Sequence, residues 1–325
     1  MAIKRTIKRS ADADLMAIGE AFEEFIAEKE ATGKSASTLR NYNQSFEYFM
    51  EFHQLELSDT LDRVIPSMFF EWANTLKLDG VKASSVNHYL RDCRAFFYWC
   101  MDELREYMPP FKIHEVEAQE ESIKLFTDED LELLLDKPRK QDSFATWRTY
   151  YIVNWVLGTG NRAGTIVEVK LGDIDFKNKE IVLGHTKNKR AQVIPLSSSL
   201  ETAIKEYIRV WRRSAPQDAW LFCNVGEEQL TTNALRLSFT KYCKDREVGR
   251  TNIHGLRHNF AKAWIRNNGD IARLQRILGH ATLDMTRRYI KLFSEDLKED
   301  FDRFNPLDNI KRKQKRTLNV RRSDD

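Results

Sequence analysis

Apolar residues recur at three- and four-residue intervals through the first hundred positions, the spacing of helices that each bury one face. Leu15, Ile18, Phe22, Phe25 and Ile26 predict a first helix, closed by Gly33. Leu39, Tyr42, Phe46, Phe49 and Met50 repeat the pattern after Ser35. Pro66 opens a third helix carrying Met68, Phe69, Trp72 and Leu76, stopped by Gly80. A fourth starts at Ser84 and buries Val86, Leu90, Phe96, Phe97 and Trp99, with Pro109-Pro110 expected to end it. The aromatic stripes sit on the faces these helices turn inward, so they read as core and not as a platform for stacking bases.

The pattern breaks at 115–121, an acidic stretch with neither helical nor strand periodicity, which reads as an interdomain linker. Thr127 followed by Asp130 is a capping-box start for the next helix. Helices are expected at 147–157 and 162–169. The period then shortens: 173–176, 180–183 and 192–196 are short, β-branched and separated by turn residues such as Lys177-Asn178, predicting a small antiparallel sheet. Helices return at 199–213, 233–244, 254–267, 270–278 and 283–292. The fold class is therefore mainly α with a small antiparallel β-sheet.

At 325 residues, 42% hydrophobic and 31% charged, the chain has the length of about two domains. Its longest apolar run, 150–157, is interrupted by Asn154 and falls short of the ~20 residues of a membrane span. The basic start, MAIKRTIKRS, has no apolar segment behind it, so no secretory signal is expected. Four cysteines with no CxxC pair read as buried thiols in a reducing compartment, which makes the expected location cytoplasmic. The net charge of +3 conceals an asymmetry: residues 1–114 balance at −4, 115–136 at −8 and 137–325 at +15. A basic C-terminal half suits a polyanionic partner.

Chemistry-bearing residues cluster in that basic half. Arg162 lies in GTGNRAGTIVEVKLGDID, just after Gly160 at a helix start. Lys187 lies in HTKNKRAQVIPL, in the turn between two expected strands. His254 and Arg257 stand one helical turn apart in HGLRH, His280 follows Leu278-Gly279 at a helix end, and Tyr289 closes the set in TRRYI. Each alone is an ordinary surface or core residue; the signal is their fixed order.

That order resembles the active site of the tyrosine recombinases, the phage-integrase family. The likeness covers nearly the whole chain, with STLRNYNQSFEYF and SSVNHYLRDCRAFF similar to the family's SAM-like core-binding domain. The resemblance implies a basic extension at 1–14, a helical DNA-binding core-binding domain at 15–113, an acidic linker at 114–126, a catalytic domain at 127–306 and a basic tail at 307–325. It implies a site-specific recombinase that holds duplex DNA between its halves, cutting and rejoining strands through a 3′-phosphotyrosine. It also implies four copies acting on two duplexes near the nucleoid, with a directionality or accessory protein as a further partner.

The catalytic residues would be Arg162, Lys187, His254, Arg257, His280 and Tyr289. Guanidinium groups suit a phosphorane dianion, so Arg162 and Arg257 would grip the non-bridging oxygens. Tyr289 would be the nucleophile, His254 its base, His280 a phosphate hydrogen-bonder and Lys187 the general acid. No metal, nucleotide or other cofactor is implied. Arg40, Lys82, Arg91 and Arg94 are the expected phosphate contacts of the first domain. One position departs from the family pattern: Thr165 stands where an acidic residue usually buttresses the first arginine, with Glu168 a substitute.

Two rival readings compete. His254 and His258 are spaced like a metal pair, but Gly255 occupies the place of the metalloprotease glutamate, and His258 is read as a packing residue. A DNA-binding protein without cleavage would leave all six catalytic positions filled for no purpose. Type IB topoisomerases share the chemistry, but their domain arrangement differs from the helical first domain here. Phe293, Leu297, Phe301 and Phe304 form a final stripe that either docks on a neighbouring copy, as the resemblance implies, or folds back on its own domain, and KRKQKR at 311–316 follows it.

Overall fold

A serine cap, a proline start and left-handed glycines just past the helix ends delimit the first helices of the computed structural model. The structure describes residues 15–118, 125–184, 192–280, 282, 285–287 and 289; Lys187, the apolar stripe of Phe293 to Phe304 and the basic tail lie outside these. The chain divides into two compact units between Glu121 and Ser122.

In the first unit, α1 (Ile18–Ala31) ends before Gly33 at φ +77°. The Ser35 hydroxyl accepts the Thr38 N–H to start α2 (Ala36–Phe52). Pro66 occupies the first turn of α3 (Pro66–Leu78), where its missing N–H costs nothing. The longest helix, α4 (Ala83–Glu103), packs on α1, α2 and α3. Phe22 stacks on Phe46 with ring centroids 3.7 Å apart, and Phe96 meets both edge-on. Phe25, Phe49, Phe97 and Trp72 are fully buried, so the stripes are core.

α4 stops six residues before the proline pair expected to end it. Tyr107 and Met108 both donate their N–H to the Leu104 carbonyl, turning the chain back so that Met108 and Ile113 join the same core. Beyond it, the Asn87 side chain donates to the Val116 carbonyl and accepts its N–H, both at 2.8 Å.

The second unit opens with α5 (Asp128–Leu135) behind the Thr127–Asp130 capping box. Its centre is α6 (Phe144–Thr159), apolar on all sides and packed by α8, α9 and α10, which explains the run at 150–157. Asn154 is accommodated by donating to the Tyr150 carbonyl one turn back. The expected helix at 162–169 is a single turn, α7 (Ala163–Ile166), with Arg162 extended as its N-cap residue at φ −75°, ψ 152°.

Strands β1 (Ile174–Asp175), β2 (Glu180–Leu183) and β3 (Gln192–Pro195) form an antiparallel sheet in that order. β1 is shorter than expected, since residues 171–173 form a tight helical turn. Ile174, Ile181 and Ile194 are in register on the buried face. The remaining helices are α8 (Ser198–Trp211), α9 (Thr232–Lys244), α10 (Ile253–Arg266) and α11 (Ile271–Leu278). Asn259 of α10 brackets the Phe126 peptide, accepting its N–H at 3.0 Å and donating to its carbonyl at 2.8 Å. All four cysteines are free and buried. Among the described residues no helix is long and apolar enough to cross a membrane.

Candidate functional site

Two left-handed glycines shape the site. Gly160 ends α6 at φ +67°, and a Cβ there would lie 2.7 Å from side-chain atoms of Leu278 and Phe260. Gly279 ends α11 at φ +61°. Both turns aim helix-end carbonyls inward, where unsatisfied C=O groups and the negative end of the helix dipole favour cations.

The two arginines occupy those carbonyls. Arg257, 2% exposed, donates from Nη1 to the Gly160 carbonyl at 2.7 Å and from Nη2 to the Leu278 carbonyl at 2.9 Å. Arg162 donates from Nη1 to the carbonyls of Leu278 and Gly279 at 3.2 and 3.4 Å. A third donor sits beside them: Gln192 Nε2, at the start of β3, bonds the Arg276 and Ile277 carbonyls at 2.5 and 2.7 Å. The last turn of α11 thus holds both guanidinium groups and the root of the β2–β3 hairpin.

This resolves the departure at Thr165. Arg162 is supported by backbone carbonyls, while Glu168, expected to substitute for the missing carboxylate, is exposed. Glu168 and Thr165 line a separate cleft with Lys170 and Asp173. No carboxylate appears among the described hydrogen-bond partners of either arginine. Burial, and then the neighbouring Arg162, pushes Arg257 down to about 10, and burial lowers Arg162. Both remain cations at neutral pH, crowded together and suited to an anion.

His280 offers Nε2 to Arg257 Nη2 at 2.8 Å, and its Nδ1 lies 2.8 Å from the Thr286 hydroxyl. Since guanidinium only donates, Nε2 accepts and the ring proton sits on Nδ1. Burial, Arg257 and Arg162 together push His280 down to about 4. His254 is lowered to about 4 by burial and then by Arg257, Arg162 and Arg236. His254, Arg162 and Arg236 line a cleft of about 270 Å³ with Asn252 at its edge.

Tyr289 is 4% exposed and packs in a small apolar cluster with Ala261, Leu274 and Leu278. His254 was expected to act on its hydroxyl; the imidazole at hydrogen-bond distance is His258, whose Nδ1 lies 2.9 Å from the oxygen. His258 therefore faces the site rather than serving only as helix packing. Its ring meets His254 edge-on at 4.6 Å.

Five of the six expected catalytic residues, Arg162, His254, Arg257, His280 and Tyr289, converge here; Lys187 lies outside the described residues. In the first unit Arg40, Lys82 and Arg91 are exposed, whereas Arg94 is paired with Glu115 at 2.7 Å. Sequence reasoning missed His258, Arg236, Gln192 and Thr286. Only His258 carried a signal, its helical spacing of four from His254. Among the described residues no group of three or more His, Cys, Asp or Glu is arranged to hold a metal ion.

Residues 124–296 match the sequence profile of the phage integrase family, and residues 20–104 that of the phage integrase N-terminal SAM-like domain. The tyrosine recombinase XerC of Thermodesulfovibrio yellowstonii is 25% identical over 283 residues, covering 85% of this chain and 92% of that protein. The fold is similar to the Tn1549 transposon integrase solved with a circular intermediate DNA, with a TM-score of 0.68 and 20% identity, covering 84% of this chain and 95% of that one. It is also similar to lambda integrase solved as a tetramer on a Holliday junction, with a TM-score of 0.66 and 14% identity, covering 85% and 77%.

Proposed function

The chain belongs to the phage integrase family, and from that premise we propose that it is a site-specific DNA recombinase that cuts and rejoins strands through a 3′-phosphotyrosine at Tyr289. The observation that carries this reading is the convergence, around one helix end, of Arg162, Arg257 and His280 beside a tyrosine hydroxyl. Two carbonyl-held guanidinium groups without a carboxylate form a preorganised receptor for a phosphate whose charge rises in the transition state. Because their positions are fixed before DNA arrives, little reorganisation is spent during the reaction.

In this mechanism Arg162 and Arg257 hold the non-bridging oxygens of the scissile phosphate. Tyr289 attacks phosphorus, the bond to the 5′ oxygen breaks, and the ester energy is stored for rejoining. Lys187, on the β2–β3 connection, protonates the departing oxygen. His254, at the rim of the Arg162 cleft, donates to a phosphate oxygen. His280 holds Arg257 through Nε2, so it reaches phosphate only if that bond is exchanged. The electrophile is supplied by arginine and lysine, so the mechanism invokes no metal or nucleotide.

The domains proposed are a DNA-binding unit at 15–113 and a catalytic unit at 127–306, joined by 114–126 and flanked by basic ends at 1–14 and 307–325. Arg40, Lys82 and Arg91 contact phosphates, and Arg94 joins them where DNA displaces Glu115. The partners are a duplex core site, three further copies of this chain on two duplexes, and a directionality protein. Its place of action is the nucleoid, where that substrate lies.

The test uses a nicked suicide duplex, recovered from a randomised-core pool by covalent capture on the wild-type protein. Tyr289→Phe binds this duplex normally and yields no covalent adduct on a denaturing gel. Capture persists in excess EDTA. An adduct formed by the phenylalanine variant, or capture lost to EDTA and restored by zinc or magnesium, overturns the reading.

A further inference from the structure

A buried tyrosine that becomes a nucleophile must dispose of a proton. Tyr289 is 4% exposed, so its hydroxyl has little direct access to bulk water. An ordinary phenol, with a pKa of about 10, is almost wholly protonated at neutral pH. Its proton becomes acidic only as the oxygen bonds to phosphorus, so an acceptor must already be in place.

Three imidazoles belong to this site, and only those of His258 and His280 stand against the Tyr289 ring. His280 has Nε2 turned to Arg257 and Nδ1 turned to Thr286, so both nitrogens are engaged. Its ring lies parallel to the Tyr289 ring at 6.1 Å. His254 is exposed in the cleft it shares with Arg162 and Arg236, whose lining does not include Tyr289, and its own ring neighbour is His258 at 4.6 Å. His258 Nδ1 lies 2.9 Å from the hydroxyl oxygen, with ring centroids 5.5 Å apart.

We propose that His258 is the catalytic base for Tyr289, taking the phenolic proton during cleavage and returning it during rejoining. With its own proton on Nε2, His258 accepts the tyrosine O–H at Nδ1. As the bond from Tyr289 to phosphorus forms and the bond to the 5′ oxygen breaks, the phenolic proton passes to Nδ1 and leaves an imidazolium. The 5′ oxygen takes its proton from the general acid. In reverse, the 5′ hydroxyl attacks phosphorus and gives its proton back to the deprotonated general acid, the tyrosine oxygen departs, and the Nδ1 proton returns to it. The inference rests on Tyr289 being the nucleophile.

Captured suicide duplex tests it with four proteins: wild type, His258→Gln, His258→Ala and Tyr289→Phe. Glutamine keeps a hydrogen-bond acceptor but cannot hold the proton. His258→Gln is expected to melt and bind DNA as wild type does while forming adduct about 10²–10⁴-fold more slowly. A 5′-bridging phosphorothiolate, whose leaving group needs no proton, does not restore it, because the defect lies on the nucleophile side. Added imidazole speeds His258→Ala and leaves Tyr289→Phe inert.

Adduct formation by His258→Gln within about threefold of wild type makes His258 a positioning residue only and overturns the assignment. Rescue by the phosphorothiolate moves His258 to the leaving-group side and overturns it equally. Peptide mapping of the wild-type adduct separates the two proposals. An adduct on another residue overturns both, whereas a Tyr289 adduct formed as fast without His258 overturns this one alone.

Discussion

The two units spend their buried groups differently. In the first, the interior is a continuous pack of rings: Phe22, Phe25, Phe46, Phe49, Phe69, Trp72, Phe96 and Phe97 touch one another through stacked and edge-on contacts. Its polar links, Ser45 to Asp92 and Asn87 to Val116, join segments of the chain without gathering charge at one point. In the second, an apolar core around α6 is accompanied by a small cluster holding Leu278 and Tyr289, beside which three side chains bond successive carbonyls of one helix end. Ring packing is non-directional and contributes mainly stability. Hydrogen bonds to fixed carbonyls are directional, and they fix where a charge sits.

The sharpest way to break this contrast is to remove a directional partner. Arg257→Ala is expected to lower adduct formation by about 10²–10³-fold, the contribution of a single preorganised donor of this kind. It also strips the Gly160 and Leu278 carbonyls of their shared donor. Adduct formation per folded molecule on the captured duplex measures the effect. A loss fully explained by a lower folded fraction would make Arg257 a stability residue like those of the first unit.

Trp72→Ala applies the opposite pressure. Deleting this fully buried ring should cost about 3–5 kcal/mol, unfolding the first unit early. Denaturant unfolding followed by circular dichroism should then resolve two transitions, with the second unit's unmoved. DNA affinity falls with the first transition. A single transition shifted as a whole would mean that the units do not unfold separately.

Gln192→Met keeps the volume of the side chain and removes its two bonds to α11. It should cost about 0.5–1.5 kcal/mol of second-unit stability, the net worth of an ordinary hydrogen bond at a partly exposed helix end, and slow adduct formation by about tenfold at most. Rates equal to wild type would show that the arginines alone set the position of that helix end.

The smallest effect is set by pH. His280 is held near 4 in the folded chain, against an ordinary value of about 6.5. Between those values the unfolded state binds more protons, so this contribution is complete above pH 6.5 and is lost as pH falls toward 4. The melting temperature of the second unit should drop by a few degrees across that window. A flat profile would mean that His280 titrates as a solvated imidazole and that its bond to Arg257 is absent in solution.

Much of the first unit was legible because its helices are amphipathic and punctuated. Gly33, Ser35, Pro66 and Gly80 act within a turn of their own position, and the apolar spacing states which face is buried. The end of α4 was not legible, because the signal that turns the chain is the distant core that receives Met108 and Ile113. In the second unit, chemical order alone brought out Arg162, His254, Arg257, His280 and Tyr289. Their mutual geometry was hidden. The Arg162 bonds span 116 and 117 residues, Gln192 reaches 84 and 85, and His258 reaches 31 to Tyr289.

The sequence by itself determined the order and type of the described elements, the inward aromatic faces and the candidate groups for acting on a phosphate. These follow from local rules: periodicity, caps, turns and side-chain chemistry. Only the tertiary structure decided what steadies Arg162 without a carboxylate, and which of two histidines one turn apart meets Tyr289. Those choices depend on carbonyls and rings brought together by packing, and a carbonyl has the same covalent form at every residue. Its role at Leu278 exists only because α11 ends there, against α10 and β3.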